Sequence, residues 1–453
     1  MFKVKKVVKS VLVPFYRLFN FFFLPVLKNY YFSRIEKIPR TTQLFFMTRF
    51  DLGPCLLHMH YAECWHQERG PACLVVFTTH MNKVVKLAKH VCPNVKIIHF
   101  DNLLSRILIY IFKNEIVQFY TLIRIYAYAC IRWPHALYIY DMNFSRHQRY
   151  NVSCYVPIFD PILTENWPFS EEFRRVYLHV RQFMDYRRPV FQDMVKLHYQ
   201  CAQKKLVISP STSQRPDSDD LWKKLKIENP YVVMNLNCKI YRYAAQNYRR
   251  INFPERYNPM IDFLITKGYT VVMQGRKEQP SLAPRKGLIE YFNSPEISSV
   301  NDFKLFDACS FAVCCKTGPE HFCSISHIPV LGLNYIELSC ISPNGRCRFF
   351  PKHLWDRKKE EFIHWRDLLK RPCFYDIGYL AYEDEVDYID LDAEEMLKAT
   401  REFLALVPKP FSSWLQYTPL QQELKQLLHP AHLDLYDAID VPCDAYLSSR
   451  KYR

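Results

Sequence analysis

A set of basic and polar residues in the later half of the chain, and one carboxylate in the earlier half, have the types and placement for group-transfer chemistry. Tyr248, Arg249, Arg250, Arg276 and Lys316 fall on segments that follow predicted strands, with Asn237, Gln274 and Gly275 beside them. Lys316 opens the corner KTGPE at 316–320. Thr317 is predicted to cap a short helix there, and Pro319 suits its first turn. The first N–H groups of a helix are unpaired and carry a partial positive charge, so a helix that starts at the carboxyl edge of a sheet attracts an anion. Thr317, Gly318, Pro319 and Glu320 therefore join the basic residues as a candidate diphosphate site. Arg, Lys and backbone N–H groups can hold charge that develops on a departing diphosphate without a metal. Asp51 lies on the loop after the first predicted strand, where a carboxylate could take the proton of an attacking hydroxyl. A turn or capping role is the plainer reading of a loop Asp.

Other constellations weigh less. Cys55, His58, His60, Cys64 and His66 crowd one segment. They alternate around a predicted helix and lack the paired short spacings of structural zinc, so packing is expected and no metal. The Asp217–Asp219 pair sits where helix caps belong. A Rossmann glycine fingerprint, a P-loop, a zincin motif and a kinase signature are all missing. No resident cofactor is therefore expected.

The elements that must position these residues follow an alternating rhythm. Strands are predicted over 44–47, 73–77, 95–99 and 137–140, with helices over 83–90 and around Leu56, Met59 and Tyr61. An aromatic helical stretch covers 102–132. After a linker at 209–216 the rhythm returns, with strands over 231–236, 269–273, 289–291 and 311–314. Helices are expected over 258–267, 300–308, 393–406 (capped by Asp392) and 419–428, and another apolar run covers 329–333. Strands alternating with helices argue for parallel sheets, and two such series argue for two Rossmann-like domains. The expected division is 1–40, 41–208, 209–391 and 392–453.

The chain of 453 residues is 49% apolar, so it can bury large cores. Its sixteen cysteines are irregularly spaced, which fits buried thiols in a reducing compartment. Half of the net charge of +16 sits in residues 1–40, where nine Lys and Arg face Glu36 alone. Residues 2–32 interleave those cations with Phe, Leu and Val. Arg17, Asn20 and two prolines interrupt the apolar run, which is too short and broken to span a bilayer. It reads as an amphipathic helix on the membrane surface. With so much of the charge there and no RNA-binding signature, no nucleic-acid partner is expected.

The order of motifs from 229 to 406 resembles a family of bacterial glycosyltransferases encoded among surface-polysaccharide genes. The series is a strand, a loop with Tyr248 and Arg249, then KGYTVVMQG at 267–275, IEY at 289–291 and the segment 302–309. Lys316, Thr317 and Gly318 follow, then IPV at 328–330, FPKHLW at 350–355, IGY at 377–379 and a helix with Glu394 and Glu395. The earlier half is loosely similar to heptosyltransferase-like acceptor domains. The resemblance implies a GT-B fold with a cleft between two Rossmann-like domains. It also implies a nucleotide-sugar co-substrate held by the later domain, a glycan or lipid-linked acceptor, and work at the cytoplasmic face of the inner membrane. The chain departs from the pattern at 235–238 (NLNC), at the 316–319 corner and at Phe50–Asp51. Those departures keep a second reading open, a membrane-bound scaffold that retains the fold without catalysis.

Overall fold

The computed structural model describes residues 38–39, 41–47, 52–76, 82–99, 137–138, 220–228, 230–236, 238, 252–275, 277, 279–315, 317–335, 345–369, 386–428 and 440–452. The N-terminal segment 1–37, the stretch 102–132 and the linker 209–216 lie outside the described residues.

Two parallel sheets carry the chain. The first is built from β1 (Gln43–Met47), β2 (Ala72–Val76), β3 (Lys96–His99) and β4 (Leu137–Tyr138), in the order β3-β2-β1-β4. Helices α1 (Leu52–Glu68) and α2 (Asn82–Val91) connect its first three strands. Leu56, Met59, Ala62, Leu87 and Ala88 are buried along them. The spacing of three between Leu56, Met59 and Ala62 puts these three on one face of α1.

The second unit opens with α3 (Asp220–Leu225), β5 (Tyr231–Asn235), α4 (Asn258–Thr266), β6 (Thr270–Gln274) and β7 (Leu288–Glu290). It continues through α5 (Ser299–Asp307), β8 (Phe311–Cys314), α6 (Glu320–Ser326), β9 (Val330–Tyr335) and β10 (Cys347–Pro351). A small antiparallel sheet follows, β12-β11-β13, from β11 (His353–Asp356), β12 (Glu361–Phe362) and β13 (Val386–Ile389), with α7 (Trp365–Leu368) between the last two. The chain ends with α8 (Ala393–Leu404), α9 (Phe411–Trp414), α10 (Pro419–Leu427), β14 (Val441–Pro442) and α11 (Asp444–Leu447).

The large sheet runs β14-β10-β9-β8-β5-β6-β7, and every pairing in it is parallel. Read from its first strand, β5, the sheet grows to one side through β6 and β7 and to the other through β8, β9 and β10. This is the doubly wound Rossmann order. Strands β5, β6, β8 and β9 are buried along their whole length, as strands covered by helices on both faces must be. Each large apolar side chain so buried contributes about 1.5–3 kcal/mol. Phe311 of β8 meets Tyr269 and Phe403 edge-on at 5.4 and 5.3 Å. The helix over 393–406 was expected to be capped by Asp392, and it is. Asp392 accepts from Glu395 N while the Glu395 carboxylate accepts from Asp392 N, a closed capping box.

The two units touch. Helix α1 packs on α6, and α2 on α5. His60 and His327 meet across the first contact with ring centroids 5.5 Å apart. His60 lies 3.4 Å from the Cys64 thiol through Nε2, so these two members of the Cys/His-rich segment pack in the contact between units. Among the described residues no His/Cys/Asp/Glu group could hold a metal ion. None of the ten described cysteines is in a disulfide, and nine of them are buried. No helix among the described residues is long and apolar enough to cross a membrane.

Candidate functional site

In a doubly wound sheet the helices diverge where the strand order reverses, leaving a crevice at the carboxyl ends of the strands. Here that point lies between β5 and β8. The sequence places polar residues there after apolar runs. Strand β5 reads YVVMN and β6 reads TVVMQ, and the two pair in register so that Asn235 stands beside Gln274. The Asn235 amide nitrogen donates to the Gln274 main-chain oxygen at 3.2 Å and to Gln274 Oε1. Thr317, just past β8, donates its hydroxyl proton to Asn235 Oδ1. The ends of β5 and β6 and the turn after β8 are thus tied by one chain of side-chain hydrogen bonds.

A carboxylate stands beside this chain. Asp302 on α5 lies near Gln274 and Tyr291. Burial pushes its carboxyl up from an ordinary 3.8 to about 6, against the opposing effect of those two neighbours. Its Oδ1 is buried without a partner among the described residues.

The corner at Thr317 differs from the sequence expectation. Thr317 does not cap the helix. Pro319 occupies the N-cap position with no side-chain bond, and α6 begins at Glu320. The Thr317 hydroxyl is instead committed to Asn235. The first N–H groups are also occupied, because Glu320 N donates to Thr317 O, His321 N to Gly318 O and Phe322 N to Pro319 O. A tight turn has closed on itself, and a carboxylate, Glu320, is buried at its start. The helix terminus therefore offers an anion less than the spacing suggested.

Gly275 follows β6. A Cβ there would come within 1.9 Å of Gln279 Oε1, so the Gln279 side-chain amide lies over this glycine and would have to swing aside for a larger residue. Of the other expected site residues, Gln274, Gly275, Thr317, Gly318, Pro319 and Glu320 lie together on the carboxyl rim of the large sheet. Asp51, Asn237, Tyr248, Arg249, Arg250, Arg276 and Lys316 lie outside the described residues.

A second polar cluster stands on the same rim, past β9 and β10. Tyr257, fully buried, donates to Asn252 Oδ1 at 2.7 Å and accepts from Asn334 Nδ2 at 2.8 Å. Burial raises its phenol well above the usual range. Asn334 holds φ at +55° near the end of β9 and accepts from Leu391 N at 2.9 Å. Lys352 pairs with Asp390 at 2.6 Å with both side chains buried, and Arg256 reaches the same carboxylate at 3.0 Å. Sequence reasoning named none of these as site residues. It treated Asn235 only as a departure and passed over Asp302. The signal for Asn235 was present in the matched endings of β5 and β6.

No protein-family model matches the chain, and no curated protein matches it. Comparison with solved structures finds weak likenesses. A glycosyl transferase family 9 protein from Veillonella parvula is 11% identical over 82% of this chain and 98% of its own, with a TM-score of 0.35. A UDP-GlcNAc 2-epimerase from Neisseria meningitidis, solved with UDP-GlcNAc, is 10% identical over 68% and 87%, with a TM-score of 0.33. The E. coli heptosyltransferase WaaC is 11% identical over 68% and 92%, with a TM-score of 0.30.

Proposed function

We propose that this chain is a glycosyltransferase of the GT-B type that moves a sugar from a nucleotide-sugar to a lipid-linked or polysaccharide acceptor. The observation that carries this reading is the reversal of strand order between β5 and β8, with Asn235, Gln274 and Thr317 joined across the crevice it creates. A parallel-sheet unit packs beside it and would offer an acceptor a second wall. Arg249, Arg250, Arg276 and Lys316 belong to the loops that would hold the diphosphate, in a reaction that needs no metal. Asp51 is the candidate base for the acceptor hydroxyl, which would make the reaction an inverting one. Residues 1–32 would hold the enzyme on the cytoplasmic face of the inner membrane.

The test is turnover of nucleotide-sugars by the full chain. Hydrolysis of a UDP-, GDP- or ADP-sugar that is lost in the Lys316→Ala, Arg249→Ala double variant supports the reading. No turnover and no binding across that panel would sink it.

One observation favours the second reading, a scaffold without catalysis. The first N–H groups of α6 are spent within their own turn, and Thr317 turns its proton inward. Calorimetric titration with the same panel separates the two, since a scaffold binds none of it while folding normally.

A further inference from the structure

A closed ring of bonds holds the side chains beyond the ends of β9 and β10. The Leu391 N–H can only donate, so its bond at 2.9 Å turns Asn334 Oδ1 toward it and leaves Asn334 Nδ2 to face Tyr257. The Tyr257 phenol accepts from that nitrogen at 2.8 Å and gives its own proton to Asn252 Oδ1 at 2.7 Å. Asn252, Tyr257, Asn334 and Leu391 are all buried. Asp390 precedes Leu391 and Arg256 precedes Tyr257, and the ion pair between them at 3.0 Å closes the ring. Buried Lys352 holds the other Asp390 oxygen at 2.6 Å, which keeps the carboxylate in place. The Arg256 guanidinium also lies over the Phe253 ring, 4.9 Å from its centroid. Even so, the Arg256 side chain is 53% exposed, and among the described residues only its NH1 is bonded. An exposed ion pair by itself orders an arginine little. Here buried polar groups and an asparagine held at φ +55° surround one half-exposed guanidinium.

We propose that Arg256 is a phosphate-binding residue on the carboxyl rim of the large sheet, held in its binding geometry by the ring through Tyr257, Asn334 and Asp390. This rests on the nucleotide-sugar reading and adds to the basic loops a cation that the reading does not name. A guanidinium fixed at one nitrogen and over one aromatic ring still presents a planar fork of N–H groups, which matches two oxygens of a phosphate. Its rotamer is already set, so little ordering opposes the contact. Tyr257 is a positioning residue, fully buried and out of reach of the ligand. The phosphate arrives either on the nucleotide-sugar donor or on the lipid of an acceptor.

The test is calorimetric titration of the full chain with inorganic pyrophosphate, UDP-glucose and farnesyl diphosphate. Arg256→Ala should weaken pyrophosphate about tenfold, and Arg256→Lys, which keeps the charge without the fork, should recover only part of that. The same loss with UDP-glucose assigns the phosphate to the donor, and a loss with farnesyl diphosphate in its place assigns it to the acceptor lipid. Tyr257→Phe removes one buried oxygen and should weaken pyrophosphate about threefold. In the Arg256→Ala background it should do nothing, because the group it positions is gone. A purely structural role would weaken binding equally in both backgrounds and would overturn the positioning. If Tyr257→Phe does not fold, Phe253→Leu at the exposed side of Arg256 removes another restraint and should show the same dependence. Unchanged affinity for all three probes in Arg256→Ala would overturn the site. A wild-type chain that binds pyrophosphate through Arg256 but not UDP-glucose keeps the site and sinks the nucleotide-sugar reading. One that binds UDP-glucose while no probe responds to Arg256→Ala does the reverse, and one that binds no probe overturns both.

Discussion

Asn235 and Gln274 end adjacent strands in register and are bonded through both the side chain and the main chain of Gln274. A buried amide in this setting is specific about which atom sits where. Asn235→Asp puts a carboxylate oxygen against the Gln274 carbonyl, two acceptors with no proton between them. The expected loss is about 1–3 kcal/mol of stability, more than for Asn235→Ser, which removes the conflict with the group. Urea denaturation of the two variants near neutral pH checks the order. Asp less damaging than Ser would show that the amide nitrogen does not face β6.

Asp302 makes stability depend on pH in a direction opposite to that of most carboxylates. Its folded-state value of about 6 lies above its ordinary 3.8, so between these the folded chain binds more protons than the unfolded chain. Its contribution is fully present below 3.8 and is lost as pH rises through about 6. The two-unit difference corresponds to about 3 kcal/mol. Asp302→Asn removes this term, so its stability relative to wild type should rise between about pH 4 and pH 7. A ratio that stays flat over this range would mean that the carboxyl is solvated.

The alternation of strands and helices was legible in the sequence because apolar runs of a parallel sheet leave a strong periodic trace. The positions of β5, β6 and β8 came out to within a residue or two, as did the cap at Asp392. The site was less legible. Thr317 has the residue type and spacing of a helix cap, but capping is a local preference, and Asn235, 82 residues away in the chain, competes for the same hydroxyl. Nothing local announces that competition. Asp302 was hidden for the same reason, since a carboxylate in the first turn of a helix is ordinarily explained by the helix itself. Its contact with Gln274 exists only after the sheet has formed.

Gly332 in the middle of β9 is needed for space and not for an unusual backbone angle. A Cβ there would lie 2.5 Å from Tyr335 Cζ and 2.8 Å from Phe349 Cβ. The Tyr335 ring lies over this glycine and stacks on Phe349 at 5.5 Å. Gly332→Ala forces the ring or the strand to move and should cost about 1–3 kcal/mol. Tyr335→Leu in the same chain removes the blocking ring edge. The double variant should therefore lose less than the sum of the single losses, and strict additivity in thermal melts would refute the contact.

Glu395 carries the strongest case for acid sensitivity. Burial disfavours its charge, yet its carboxyl is held at about 2 because His353, Lys451 and the Asp392 N–H all donate to it or face it with positive charge. His353 is wholly buried and bridges Glu395 at 2.8 Å to Tyr452 at 3.0 Å, so the group also ties the last turn of the chain to β11 and α8. A depressed carboxylate contributes stability above its ordinary value of 4.5, and that contribution drains away as pH falls toward about 2. The shift is worth about 3 kcal/mol, and Glu395→Gln should lose most of it at neutral pH. It should lose little more on acidification, so the wild-type and variant stability curves converge below pH 4.5. Lys451→Ala should fall between them, because it removes one of the donors and leaves His353 in place. Curves that stay parallel from neutral pH into acid would show that the tail is held by its aromatic packing alone and that the charge on Glu395 contributes nothing.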